Sequence, residues 1–157
     1  MKNLLGLALA GITLLTLSSC GKKVTPLDIS KPATQAPPPI VLNEKTPGGK
    51  VDITNLIGKE NKYTLVEFYA DWCGPCQAFL PVVNMLPKKF NNLAVYRVNI
   101  DKWESPACKQ FQINSVPAMI VYGPDGKELA KGEDARLWVQ AQLDLLADYE
   151  NSQLTKH

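Results

Sequence analysis

The 157-residue chain is 45% hydrophobic and carries 17 Lys and Arg against 15 Asp and Glu, a formal charge of +2, which is enough apolar content for one folded domain with a full core. Residues 48–150 hold 11 Lys and Arg and 13 Asp and Glu, a charge of −2 with no basic stripe, so nucleic acid is not an expected partner. The single histidine is His157, which excludes Cys-His and Ser-His-Asp hydrolytic centres and leaves a histidine-containing zinc site without its ligand.

Near the start, Lys2 precedes a run of 14 uncharged residues, 4–17, the length of a signal-peptide core and too short for a spanning helix. The run closes in Leu17-Ser18-Ser19-Cys20, followed by Gly21. These residues resemble the lipobox of bacterial lipoproteins. That likeness implies a signal peptide over 1–19, lipid attachment at Cys20, and a place in the bacterial cell envelope with the domain in the periplasm or otherwise outside the cytoplasmic membrane. An ordinary cleaved signal with an incidental cysteine is the alternative, and export follows from either. Residues 22–47 then carry six of the twelve prolines, including Pro37-Pro38-Pro39. From Cys20 to residue 47 the chain is therefore expected to be a tether, extended at about 3 Å per residue where proline dominates, or plainly disordered.

Residues 48–150 have the periodicity of a folded domain, with 151–157 as a tail. A first strand is predicted over 48–52 and a short helix over 53–57, stopping at Gly58. Tyr63–Tyr69 is short, β-branched and aromatic, which predicts a largely buried strand. Phe79, Val82, Val83, Leu86 and Phe90 recur at the spacing of an amphipathic helix over 73–90. Pro81 should kink that helix by removing a backbone bond, and Pro87 should kink it again or end it early. In 93–100, Ala94, Tyr96, Val98 and Ile100 alternate onto one face of a third strand. Ser105-Pro106 reads as a cap and first-turn proline of a short helix to Phe111. Ala118–Tyr122 and Glu128–Lys131 follow as a hairpin turned at Pro124-Asp125-Gly126. Over 135–149, Leu137, Val139, Leu143, Leu146 and Ala147 fall on one helical face. The order β-α-β-α-β-α-β-β-α predicts an α/β fold, a central mixed sheet flanked by helices on both faces.

The chemistry lies in Ala70-Asp71-Trp72-Cys73-Gly74-Pro75-Cys76-Gln77, between the buried strand and the helix. A helix N-terminus offers unpaired N–H groups and a dipole that favour a thiolate. Cys73 is therefore expected to be exposed and nucleophilic, and Cys76, one turn further in, to be buried and to resolve a mixed disulfide. A permanent structural disulfide or half of a zinc site remain alternatives for the pair. So do a solvated edge carboxylate for Glu67 and simple packing for Trp72. Cys108 reads as a partly buried small hydrophobe or, in the first turn of its helix, as a third thiolate.

Over about residues 48–149 the chain resembles the thioredoxin family. The likeness rests on Trp72-Cys73-Gly74-Pro75-Cys76, on Pro81 five residues after the second cysteine, on Glu67 where the family carries a buried acid, and on Gly132 after the hairpin. It rests also on Val116-Pro117, which matches the family's cis-proline facing the dithiol. The resemblance implies the thioredoxin fold and a catalytic Cys73/Cys76 dithiol, with Glu67 beneath Cys76 as the base that takes its proton. It further implies substrate binding by Trp72, Gly74, Pro75, Val116 and Pro117, and no cofactor or metal. Arg97 stands where the family usually has lysine beside the acid, so it modulates Glu67: burial raises the carboxyl pKa, and a cation lowers it without being able to give up a proton. Ala118 replaces a usual threonine, and Cys108 has no expected counterpart.

Gly-Pro between the cysteines resembles the reducing members of the family. The implied activity is reduction of disulfide-bearing protein substrates outside the cytoplasm. In an oxidising compartment the dithiol must be recharged, which implies a membrane electron donor. A dedicated cytochrome c maturation reductase is the runner-up; that subgroup usually has an insertion after the third strand, for which residues 100–105 leave no room. A thioredoxin-fold adaptor or chaperone with incidental redox activity is the alternative from another class.

Overall fold

The computed structural model describes residues 26–30 and 36–155. In chain order these form β1 (Ile40–Val41), a 3-10 turn (Lys59–Asn61), β2 (Tyr63–Tyr69), α1 (Gly74–Lys89), β3 (Leu93–Asn99), α2 (Pro106–Phe111), β4 (Ala118–Tyr122), β5 (Glu128–Lys131) and α3 (Glu133–Leu154). The five strands make one sheet in the order β1-β3-β2-β4-β5. The β1–β3 and β3–β2 pairs are parallel, and β2–β4 and β4–β5 are antiparallel.

Strand β2 takes the centre because it can be buried on both faces: Tyr63 to Phe68 are all buried. Alternate side chains then divide the core in two. On one face Leu65 joins Val95, Met119 and Val121 against Val83, Leu86 and Phe90 of α1 and Trp138 and Val139 of α3. On the other, Val66 and Phe68 join Val98, Ile120 and, from α2, Ala107 and Cys108. Helices cover both faces of a mixed sheet, as the element order predicts. Helix α1 runs through Pro81 and Pro87 without a break and stops two residues beyond the second.

Several boundaries differ from expectation. The first strand is Ile40–Val41, paired with Tyr96 and Arg97 of β3, and 48–52 is not a strand. Val51 and Ile53 are buried there, but the backbone of Val51 bonds to the Gln110 side chain, which donates from Nε2 to Val51 O and accepts from Val51 N at Oε1. The β-branched pattern of 48–52 thus reports burial without a ladder. Gly48 sits at φ +75, and a Cβ there would lie 3.2 Å from Ile100 O, so the crossing over β3 requires glycine. The helix expected over 53–57 is a single turn, in which Leu56 and Ile57 N–H both donate to Ile53 O. The chain then enters left-handed geometry at Gly58.

Parts of the span expected as a tether are docked on the body. Besides β1, Asn43 is buried and pairs with Asn99, accepting from its N–H at 2.9 Å and donating to its O at 2.7 Å. Further upstream Leu27 is 4% exposed within the core, and its N–H donates to Gln142 Oε1 at 2.7 Å. The folded body therefore begins ahead of Gly48. Cys20 and the signal-like residues 1–19 lie outside the described residues.

Gln142 also explains why the inner face of α3 is set differently from expectation. The buried residues are Ala135, Trp138, Val139, Gln142 and Leu146, an i, i+3, i+4, i+7, i+11 series whose polar member hid the stripe. Leu137, expected inside, is 57% exposed. The helix runs to Leu154, so residues 151–154 of the expected tail are helical.

Leu27→Ala should lower the unfolding free energy by about 2 kcal/mol, the low end for a core leucine, and should open residues 26–30 to limited proteolysis. An unchanged urea midpoint would show that the segment is not docked in solution.

Candidate active site

The cysteine pair sits where β2 leaves the sheet and α1 begins. Cys73 is the N-cap of α1, with extended backbone, and its Sγ accepts the Cys76 N–H at 3.2 Å. Its carbonyl accepts from Gln77 N–H at 3.1 Å, opening the helical ladder. Pro75 fits the first turn because its missing N–H would have had no intrahelical partner. Gly74 and Pro75 are exposed, and Gly74 has open space where a side chain would stand. Cys73 and Cys76 form a disulfide with Cα atoms 5.2 Å apart.

In this oxidised state both cysteines are buried, Cys73 at 4% exposed and Cys76 at 1%. The expectation of an exposed Cys73 is corrected for this state. Its sulfur is bonded to Cys76 Sγ and folded back over the helix end toward the Cys76 amide, which turns it away from water. The helix terminus that receives it is the group that would stabilise its thiolate after reduction.

Glu67 lies in the central strand, in register with Arg97 of β3 on one side and Met119 of β4 on the other. It is fully buried, which removes the solvated-edge reading. Arg97 Nε donates to Glu67 Oε2 at 2.5 Å, and its guanidinium lies 3.8 Å from the Tyr69 ring centroid, a cation–π contact. Glu67 Oε1 has no hydrogen-bond partner. Burial pushes the Glu67 carboxyl above its ordinary range, and the hydrogen bond and charge of Arg97 oppose that rise without cancelling it. Arg97 and Cys76 share a cleft of about 260 Å³ with Tyr69, Ala70, Asp71, Gln77 and Leu80. Arg97 and Cys76 thus line one cleft, and Glu67, bonded to Arg97, is buried behind it.

The Val116–Pro117 peptide bond is cis, and Val116 packs against the core cluster that contains both cysteines. Gly132 takes φ +59 between β5 and α3. Cys108 is buried and unpaired, with its N–H donated to the Ser105 cap at 3.2 Å. Trp72 is 54% exposed, so packing alone does not account for it. Its Nε1 donates to Asp101 O, and its ring meets Trp103 edge to face at 5.4 Å.

Trp103 is the residue that sequence reasoning missed. A tryptophan in the five-residue link between β3 and the Ser105 cap, where polar residues are the rule, is the available signal.

The family profile described as thioredoxin matches residues 50–143. A thioredoxin of Chlamydia caviae is 38% identical over 65 residues, 41% of this chain and 62% of that protein. A thioredoxin of Chlamydia trachomatis is 36% identical over 67 residues, 43% of this chain and 64% of that protein. The match thus spans somewhat under two thirds of these relatives. Among solved structures, a mutant thioredoxin of Halobacterium salinarum aligns at 25% identity and a TM-score of 0.49, covering 74% of this chain and 95% of that one.

A dithiol at a helix end that shares a cleft with Arg97, itself bonded to a carboxyl of raised pKa, has the groups for disulfide exchange, and whether the carboxyl serves as a base is open to test. Glu67→Gln should slow turnover roughly ten- to a hundredfold near neutral pH, the low end of general-base effects. Above the raised Glu67 pKa the wild-type carboxylate is ionised and can take the Cys76 proton. At high pH Cys76 ionises unaided, so the defect should shrink. A mutant pH–rate profile parallel to wild type would leave Glu67 a structural role only.

Proposed function

The chain belongs to the thioredoxin family, and from that premise we propose that it is an extracytoplasmic thiol-disulfide oxidoreductase that reduces protein disulfides through Cys73 and Cys76. The observation that carries this reading is the Cys73–Cys76 disulfide with Cys73 as the helix cap. In the reduced protein the Cys73 thiolate attacks one sulfur of the substrate disulfide, forming a mixed disulfide and releasing the other substrate sulfur as a thiolate that takes up a proton. Cys76 then loses its proton, attacks Cys73 Sγ and releases the second substrate thiol. Two electrons have passed to the substrate, and the disulfide seen here is the spent form.

The dithiol has to be restored by a donor of two electrons. We assign that role to a dithiol of a membrane protein, because the uncharged run 4–17 and Leu17-Ser18-Ser19-Cys20 support export and lipid attachment at Cys20. Gly-Pro between the cysteines supports the reducing direction. The short link between β3 and α2, Ile100 to Ser105, supports a general reductase over the cytochrome c maturation subgroup.

The purified protein should reduce insulin disulfides with dithiothreitol as electron source, and Cys73→Ser should abolish this. Cys76→Ala, expressed in the native host, should accumulate proteins disulfide-linked to Cys73. Insulin left intact by the wild type, or a host phenotype fully supported by Cys73→Ser, would turn the reading toward an adaptor. Cys20→Ala should release the protein from the membrane fraction; retention there would remove the lipid anchor.

A further inference from the structure

Two exposed tryptophans pack against each other at the start of the cysteine motif, and only Trp72 belongs to that motif. Trp72 is 54% and Trp103 46% exposed, although large aromatics left half in water forgo much of the gain of burial. They are not loose. The indole of Trp72 is fixed by its bond to Asp101 O, and Trp103 meets it edge to face at 5.4 Å and 61°.

The segments bearing the two rings are tied by one buried side chain. Asn99, 5% exposed, donates from Nδ2 to Asp71 Oδ2 at 3.1 Å and accepts Asp101 N–H at Oδ1 at 2.8 Å. Asp71 precedes Trp72, and Asp101 lies two residues before Trp103. Both Asp101 and Glu104 take left-handed backbone, at φ +59 and +62, a strained geometry for residues with side chains. The link between β3 and α2 is thereby bent into a tight loop that holds Trp103 against Trp72. A pre-set, half-exposed aromatic surface whose Trp72 immediately precedes Cys73 is a site for apolar contact with whatever carries the disulfide under attack.

Resting on the reading as a disulfide reductase, we infer that Trp103 is a specificity-determining residue of this site: with Trp72 it forms an aromatic wall that receives a bulky aliphatic or aromatic side chain flanking the substrate cysteine. The occupant is a disulfide-bearing protein segment, because the wall is continuous with Cys73 through Trp72. Burial of that side chain occurs as the mixed disulfide forms, so it raises the rate for substrates that have one and does nothing for those that lack it.

The test uses two cyclic peptide disulfides, identical except that leucine or serine flanks each cysteine. Second-order rate constants for thiol release are measured by mixing each peptide with the reduced protein. The wild type should prefer the leucine peptide by about tenfold, the low end of what one buried methylene supplies in an apolar pocket and fitting for an open wall. Trp103→Ala should bring that ratio close to one, and Trp103→Phe, which keeps a ring, should retain most of it. A Trp103→Ala protein with an unaltered urea midpoint and an unaltered ratio would overturn the wall, as would a wild type that reduces both peptides equally. A wild type that reduces neither peptide would overturn the reductase reading along with it.

Discussion

Strand β2 is buried on both faces, and that constraint determines what surrounds it. Its two polar side chains cannot reach water, so each must find a partner inside the protein. The Thr64 hydroxyl accepts Gly58 N–H and donates to Leu56 O, which fastens the turn at 53–58 to the sheet. Glu67 takes Arg97 from the neighbouring strand, and the register of the two parallel strands sets them opposite each other. The chain leaves this strand at Tyr69 in only one direction, and four residues later Cys73 caps α1. Cys73 thus stands where the doubly buried strand ends and the helix begins.

Where regular pairing ends, side-chain amides take over the work of the ladder. Asn43 binds both backbone groups of Asn99, so a two-residue strand is continued by one carboxamide. Gln110 does the same for Val51, and Gln142 receives the amide of Leu27. These contacts allow irregular chain to be buried beside the sheet without leaving most of its backbone groups unpaired. They also connect the fold to the site, since Asn99 ties the segments that carry Trp72 and Trp103.

The same substitution explains which parts of the molecule could be read from the sequence. Strand β2, α1, the β4–β5 hairpin and the cysteine pair each announce themselves by local period or motif, and their positions follow within a residue or so. Strand β1 has only Ile40 and Val41, too few residues for any periodicity, and it lies after three prolines that argue for a tether. The inner stripe of α3 contains Gln142, which breaks an apolar pattern, so Leu137 looked a better core residue than Trp138. Partners of that kind are set by tertiary contact, and local pattern does not encode them. Trp103 was passed over for a related reason: its meaning comes from Trp72, 31 positions away in the sequence and in edge contact in space.

Arginine at position 97 gives the buried acid a setting of its own. The guanidinium is held from two sides, by Glu67 Oε2 and by the Tyr69 ring. Burial outweighs Arg97 and raises the Glu67 pKa, so the folded state binds that proton more tightly than the unfolded chain does. Between the ordinary carboxyl pKa and the raised folded one, stability falls as pH rises, and above the latter the penalty of the ionised form is fully present. At a pH above that range the fold carries a buried carboxylate with one oxygen, Oε1, left without a hydrogen bond. A carboxamide of the same shape would avoid the charge. The fold therefore holds at position 67 a carboxyl group whose ionisation costs it stability, and the surrounding core keeps it there.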